Sequence, residues 1–543
     1  MNTVRIPMSL GMSSSPKPNT LALQWVLGAL ALLGLFLLGL NQALLFDVDE
    51  GAFTEATREM VLSGDWGHTT LNGLDRFDKP IGVYWLQAIS ASVFGFNEFA
   101  FRLPSALSGW LASLALARFA YLQWDPRAGL LAAVISATSL GPWAMARTAT
   151  ADALLGLFFV LIFIDLWRVI STNSVASRRK LALWVALGLL VKGPVAIVLP
   201  LGALAIYGLL IPIARANLKA LFLDLGAWVI LLAVSCPWYL YAYARHGQNF
   251  INGFLLKHNV ERFMGSMEGH SGHWSYFLVA LPLLWLPWST LCVSAIANVR
   301  EQWQQPFMKY AWIWFAFVFC FFSIANTKLP HYLLYAGPAV CLLLTSAALS
   351  ASRRMWALTW AVAMLGFAAI LLLPGYLQQN PGWVKDMFYK SLIEESPQTQ
   401  MKVWLFALPL LLCVAPAFNY LLREVKPVKT YMTQGFGFIF FSVFQAGVLA
   451  LIVLPWWAQT LQAPVQGLAL KFQDNTNSIV QWGVHLPSFA TYRQHEAPRR
   501  EPMPGEMALV KNIRPYWPIE WETLAVIGPL AVVKAPELTR SKP

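Results

Sequence analysis

Apolar runs of about 20 residues recur along most of this chain, and a run of that length crosses the hydrocarbon core of a bilayer as a helix. With the polar punctuation between them, the runs predict thirteen spans, near 21–44, 99–122, 128–147, 151–170, 180–191, 194–212, 221–243, 274–296, 307–325, 331–350, 354–375, 402–422 and 434–456. A membrane β-barrel would instead show alternating segments of about 10 residues. The expected class is therefore a polytopic α-helical membrane protein. Between the first two spans the pattern changes. Phe53, Ala56, Met60 and Val61 make an apolar stripe with Glu55, Arg58 and Glu59 opposite, the signature of an amphipathic helix lying in the interface. A second interfacial run, Ile81 to Phe94, carries Tyr84 and Trp85, aromatics of the kind that anchor at headgroup level.

Basic residues orient the spans. With the N-terminus inside, the inner loops carry Arg127; Arg178, Arg179 and Lys180; Arg215 and Lys219; Arg300 and Lys309; Arg353 and Arg354; and Arg423, Lys426 and Lys429. Every inner loop is then basic, as the positive-inside rule requires, and an odd span count puts the C-terminus outside. The outer segments include the loops 45–98 and 244–273 and the tail from about 457. In that tail apolar density falls and β-prone runs appear at Ser478–Val484, Glu506–Val510 and Thr523–Val533, the last broken at Gly528-Pro529. This predicts a small α/β domain over 457–543 on the outer face, after a membrane domain over 1–456.

Composition changes little. The chain is 57% hydrophobic and 12% charged, with a net charge of +12. Topology accounts for the positive charge, so no nucleic-acid partner is expected. Cys236, Cys292, Cys320, Cys341 and Cys413 all fall in apolar runs, which suits neither a disulfide framework nor a metal site. The polar first 20 residues lead into a long apolar run without an obvious small-residue cleavage site, predicting an uncleaved first helix.

Candidate chemistry collects on the outer face. Asp49 and Glu50 stand at the N-terminus of the amphipathic helix, where the dipole favours carboxylates; they read either as caps or as a carboxylate able to accept a proton or orient a hydroxyl. Asp78-Lys79-Pro80 opens the second interfacial run. Lys192-Gly193-Pro194 lies between two spans, and Lys328-Leu329-Pro330 precedes His331, Tyr332 and Tyr335. The loop 244–273 adds Lys257, His258, Glu261 and Arg262. Each alone is an ordinary helix-end residue. Together they place cations on the face that the positive-inside rule leaves poor in them, which suits a phosphate or diphosphate. Metal-ligand spacings such as HExxH are absent; one divalent cation centred on Asp78 with His258 as partner is the metal reading that remains.

The pieces DEGAFTEATREMVLSGDW, RFDKPIGVYWLQA, FRLPSAL, TADALL, LLVKGPVAIVLP, HNVERF, NTKLPHYLLYAGP and VQWGVHLPSFATYR resemble the GT-C superfamily of lipid-linked-sugar glycosyltransferases. The closer likeness is to the lipid A 4-amino-4-deoxy-L-arabinose transferases and their dolichyl-phosphate-mannose-protein mannosyltransferase-like relatives. The resemblance implies a polytopic fold with its active site on the periplasmic side of a bacterial inner membrane. It implies catalytic roles for the acidic pair Asp49 and Glu50, with the catalytic carboxylate at Asp49. It also implies donor-phosphate contacts at Lys79, Arg262 and Tyr332, to which the outer-face cations add Lys192 and Lys328, and a metal- or loop-ordering role for Asp78. The implied partners are an undecaprenyl-type phosphate sugar donor, a lipid or glycolipid acceptor and the bilayer, with the chain a monomer. Those transferases usually read Asp-Glu-Thr-Arg-Tyr at the first motif, where this chain has Asp49-Glu50-Gly51-Ala52-Phe53, and Asp78 replaces their glutamate. A peptide acceptor, as in protein O-mannosyltransferases, and a lipid-linked-sugar transporter are the rival readings. A transporter predicts ionisable groups at the bilayer midplane, whereas the acidic residues here crowd the rim.

Overall fold

A computed structural model describes residues 18–261, 272–396, 427–513, 517–518 and 520–537. The expected span 402–422 and Arg262 lie outside the described residues. Among the described residues, seven helices are long and apolar enough to cross a membrane, with shorter apolar helices at Ala22–Leu37 and Val195–Leu210. The chain is a multi-pass membrane protein, most of whose helices share one continuous apolar core.

The first half of the chain runs α1 (Pro18–Leu37), α2 (Asp49–Ser63), α3 (Gly82–Phe94), α4 (Glu98–Gln123), α5 (Pro126–Thr138), α6 (Leu140–Met145), α7 (Asp152–Thr172), α8 (Val175–Lys192), α9 (Val195–Leu210), α10 (Pro212–Phe222) and α11 (Leu225–His246). Local chemistry sets several starts. Asn97, Asp125, Ser174 and Asp224 each accept a hydrogen bond from the backbone N–H three residues on, satisfying donors that a helix start leaves orphaned.

Two expected spans are broken. The third is divided at Ser139 into α5 and α6. The eighth is divided between the helices Tyr276–Leu284 and Leu291–Ala297. The breaks face each other, with Leu140 N donating to Leu286 O at 2.9 Å. Backbone groups released at membrane depth need a partner inside the protein, and each break supplies one to the other.

Helix α2 departs from the interfacial reading. Glu55 is fully buried, and Arg58 and Glu59 are buried with it. The polar face meets protein rather than water. Thr491 Oγ1 donates to Glu55 Oε2 at 3.2 Å and Arg58 Nη1 donates to Gln494 O at 3.1 Å, both partners lying in or just after the short helix Ser488–Arg493. Glu59 accepts from Asn72 N at 2.5 Å and from Thr70 Oγ1. A hydrophobic stripe reports which face is apolar, not what covers the polar one.

The tail forms a mixed sheet of β3 (Ile479–Gln481), β4 (Met507–Lys511), β5 (Glu522–Ile527) and β6 (Leu530–Lys534) in the order β3-β4-β6-β5, with β3 parallel to β4 and the other pairs antiparallel. An earlier two-stranded hairpin, β1 (Thr70–Leu71) and β2 (Leu74–Asp75), lies between α2 and α3. The sheet has its own apolar clusters on either side, one around Leu468, Phe489 and Leu509 and one around Val480, Val510 and Trp517. The helix leading to it is unbroken from Gly437 to Lys471, so the expected boundary at 456 falls inside a helix.

Candidate active site

The N-terminus of α2, the start of α3, the start of α7 and the end of α8 bring the charged motifs to one end of the bundle. Asp49 is exposed in the first turn of α2, and its negative charge acts on Arg76. Glu50, next along, turns inward. Arg102 Nε donates to its Oε1 at 2.8 Å and Arg102 Nη2 to its Oε2 at 2.7 Å, while Ala149 N and Phe46 N also donate to it. Arg102 further caps the carbonyls of Leu40, Ala43 and Leu44. The expectation of a catalytic Glu50 is therefore revised: both its oxygens are occupied, and it ties α2 to α4 and to the end of the first span.

Arg76 Nη2 pairs with Asp78 Oδ2 at 3.0 Å, and His258 Nε2 pairs with Asp78 Oδ1 at 2.8 Å. Burial alone would raise the Asp78 carboxyl. The hydrogen bond from His258 and the charge of Arg76 outweigh it and hold the group well below the usual carboxylate range. Burial opposes the Arg76 charge in the same way, and the Tyr84 hydroxyl, Asp78 and Asp49 more than compensate. Lys79, half-buried beside this pair, donates to the carbonyl of Asp78 at 3.0 Å. Asp78 and His258, the two residues named for a cation, thus lie side by side.

A second cluster adjoins the first. Lys192, the last residue of α8, donates to Asp152 Oδ1 at 2.5 Å and to Tyr335 Oη at 2.6 Å; Tyr335 Oη also donates to Asp152 at 2.9 Å, and His331 Nε2 lies 3.8 Å from the same oxygen. Lys192 stands 5.9 Å from the Tyr332 ring centroid. Gly193 ends α8 at φ +80° and a Cβ there would meet the Phe254 ring at 2.6 Å. Phe254 belongs to the π-helical turn Ile251–Glu261 that carries His258, so the glycine lets the two clusters close up. A cavity lined in part by Phe36, Ala112, Met145, Asp152, Trp285 and Gly337 opens beside Asp152.

Lys328 is placed differently. Its ammonium donates to the carbonyls of Phe322 (3.0 Å), Ser323 (2.6 Å) and Ala325 (2.5 Å). These are the orphan acceptors at the end of the helix Pro306–Ile324, and a buried lysine is a suitable cap for them. The expected phosphate contact at Lys328 is revised accordingly: all three N–H donors are taken. Tyr332 is buried against Phe322, with ring centroids 4.7 Å apart.

Sequence reasoning passed over Asp152 and Arg102, and it gave Arg76 and Tyr335 no role of their own. Asp152 and Arg102 did carry a signal, because each is an ionisable residue just inside an apolar run, where charge is costly unless paired.

The chain is thus a helical membrane bundle with a cation-and-carboxylate rim at one end. The model of the dolichyl-phosphate-mannose-protein mannosyltransferase family matches residues 78–241. The undecaprenyl phosphate-alpha-4-amino-4-deoxy-L-arabinose arabinosyl transferase of Pseudomonas paraeruginosa is 30% identical over 387 residues, 68% of this chain and 68% of that protein. Arabinosyl transferase 2 of Pseudomonas fluorescens is 30% identical over 364 residues, which span 62% of this chain and 59% of that relative's length. The crystal structure of ArnT from Cupriavidus metallidurans bound to undecaprenyl phosphate has the same fold, with a TM-score of 0.78 at 21% identity, covering 95% of this chain and 98% of that one. The chain belongs to the family of the undecaprenyl phosphate-aminoarabinose arabinosyl transferases.

Proposed function

We propose that the protein is an inverting glycosyltransferase that moves a sugar from a polyprenyl phosphate of the undecaprenyl class to lipid A or another envelope glycolipid. One observation carries the reading. An exposed carboxylate, Asp49, stands at the same bundle end as two adjoining clusters rich in cations, Arg76–Asp78–His258 with Lys79 and Lys192–Asp152–His331. The names of the relatives support the donor. On this reading the chain has thirteen spans, a cytoplasmic N-terminus, and a periplasmic active site and C-terminal α/β domain in the inner membrane.

The chemistry follows from the charges. The acceptor oxygen attacks the anomeric carbon, the carbon–oxygen bond to the donor phosphate breaks, and polyprenyl phosphate leaves with the bonding pair. Lys79, Arg76, Lys192 and Arg262 stabilise the charge that grows on that phosphate; one well-aimed donor of this kind contributes about 3–4 kcal/mol to the barrier. Tyr332 flanks the phosphate subsite. Asp49 takes the proton from an acceptor hydroxyl, or positions an acceptor phosphate oxygen that is already ionised. The apolar chain of the donor lies among the spans. A divalent cation on Asp78 and His258 would have to compete with Arg76 for Asp78 Oδ2, and the steps above need none.

The family model that matches residues 78–241 favours one second reading, a peptide acceptor as in protein O-mannosyltransferases. Mass spectrometry of lipid A, other glycolipids and envelope proteins from cells with and without the gene separates the two. A gain of one sugar mass on lipid A or another glycolipid supports the first reading, and a gain on a protein supports the second. No sugar-mass difference in any envelope fraction overturns both.

A further inference from the structure

We propose that His68, Asp75 and His246 form a site for one divalent transition-metal ion of the zinc class, separate from the Asp78–His258 pair and independent of the sugar-transfer reading.

Two imidazoles converge on one carboxylate from its two sides. His68 Nε2 lies 3.0 Å from Asp75 Oδ1, and His246 Nδ1 lies 3.3 Å from Asp75 Oδ2. One ligand atom from each of the three residues falls within 4.8 Å of the others. Donors on a tetrahedral zinc, at bond lengths of about 2.0–2.1 Å, sit roughly 3.3 Å apart. The donors lie up to 4.8 Å apart, so binding draws them inward by about 1.5 Å at most. Two neutral imidazoles and a carboxylate are a donor set that zinc favours, and three protein ligands leave one position for water.

The frame around the three residues is set by other contacts. Asn72 and Gly73 both take positive φ, 54° and 76°, the conformation of a tight hairpin turn. That turn folds β2 back on β1, pairing Thr70 with Asp75 and bringing Asp75 across to His68. His246 is the last residue of α11. The hairpin is held to α11 by Trp238 Nε1 donating to Gly67 O at 3.1 Å and by an ion pair between Arg245 and Asp65. Phe77 stands edge-on to the His246 ring, with centroids 5.1 Å apart. The histidine side chains are 10% and 11% exposed, whereas Asp75 is 51% exposed, which leaves the ion an entry path. Arg245 is engaged by Asp65 and Tyr241 and does not take the carboxylate. A bound ion would staple the loop that carries Arg76, Asp78 and Lys79 to the end of α11, one turn before the segment that carries His258.

The test uses the full chain in detergent, stripped by chelator and reloaded with zinc or cobalt. One metal per chain is expected, with the visible absorption of tetrahedral cobalt and an X-ray absorption first shell holding two imidazoles. His68→Gln and His246→Gln should each lower affinity by about tenfold or more, whereas Asp78→Asn and His258→Gln should leave it unchanged. Substoichiometric metal, or a first shell with one imidazole, overturns the proposal. So does loss of metal in His258→Gln with retention in His68→Gln. The wild-type absorption spectrum decides the matter even if a substituted chain fails to fold.

Discussion

Arg102 grips both oxygens of Glu50, at 2.8 and 2.7 Å, with each side chain only 2% exposed. Its neighbour Asp49 is exposed. Adjacent carboxylates in one helical turn thus have opposite duties, and their variants should separate. Removing one partner from a buried pair costs about 3–5 kcal/mol, so Glu50→Gln should lower the melting temperature in detergent strongly. Asp49→Asn should melt with the wild type and lose about 10²–10⁴-fold in transfer rate. Wild-type activity in Asp49→Asn would remove that residue from the mechanism.

Lys328 and Lys79 form a similar contrast. Lys328→Met leaves the carbonyls of Phe322, Ser323 and Ala325 without their donor, a loss of about 1–3 kcal/mol. Thermal stability should fall while KM for the lipid donor stays constant. Lys79→Met should do the reverse, reducing kcat by roughly 10²-fold with the melting temperature held. Donor titrations and melting curves on the two variants check both statements.

Lys192 and Asp152 share a short ion pair, with side chains 14% and 12% exposed. Lys192→Met strands a carboxylate that, among the described residues, Tyr335 and the more distant His331 still face. The double variant Lys192→Met/Asp152→Asn should be more stable than the sum of the single losses predicts, with a coupling of about 0.5–3 kcal/mol. Additive losses would mean that the pair is not energetically linked.

Asp47 predicts a pH effect on the packing of the tail, through Ser488, against the start of α2. Ser488 N donates to its Oδ1 at 2.9 Å and the Ser488 hydroxyl donates to Oδ2. Burial pushes the carboxyl up from 3.8 to about 7, with the Ser488 hydrogen bonds pulling the other way and Glu50 adding a little. A carboxyl raised by folding stabilises most below its unfolded value. That contribution is lost as pH rises from about 4 through about 7. The melting temperature of Asp47→Asn should therefore overtake that of the wild type as pH is taken from about 5 to about 8. Parallel curves would show that Asp47 does not hold its proton.

Gly51 shows how a sequence departure becomes readable in three dimensions. A Cβ there would sit 2.2 Å from Asp47 Oδ1 and 2.5 Å from Ser488 N. Of the three residues that separate this motif from the usual Asp-Glu-Thr-Arg-Tyr, Gly51 is the one that lets the tail press onto α2. Gly51→Thr should weaken that docking, seen as faster proteolysis after Lys471 with the spans intact.

Much of the molecule was legible in one dimension. Apolar run length marked the helices that cross the membrane, because a bilayer demands about 20 apolar residues whatever they pack against. Turn chemistry at Gly528-Pro529 and short β-prone runs marked the strands of the tail, and the motif Arg76 to Pro80 marked the rim cluster. Neighbours were not legible. Asp49 and Glu50 are equivalent as letters; Arg102, 52 residues on, makes one of them a buried strut. Lys328 and Lys192 look alike at helix ends, yet three carbonyls take the first and Asp152 takes the second. The polar face of α2 reads as solvated until Thr491 and Gln494 cover it. Periodicity reports the preference of a residue for water or oil, whereas the partner that settles a charge's role comes from distant chain brought close by packing, and only the tertiary structure decides which partner that is.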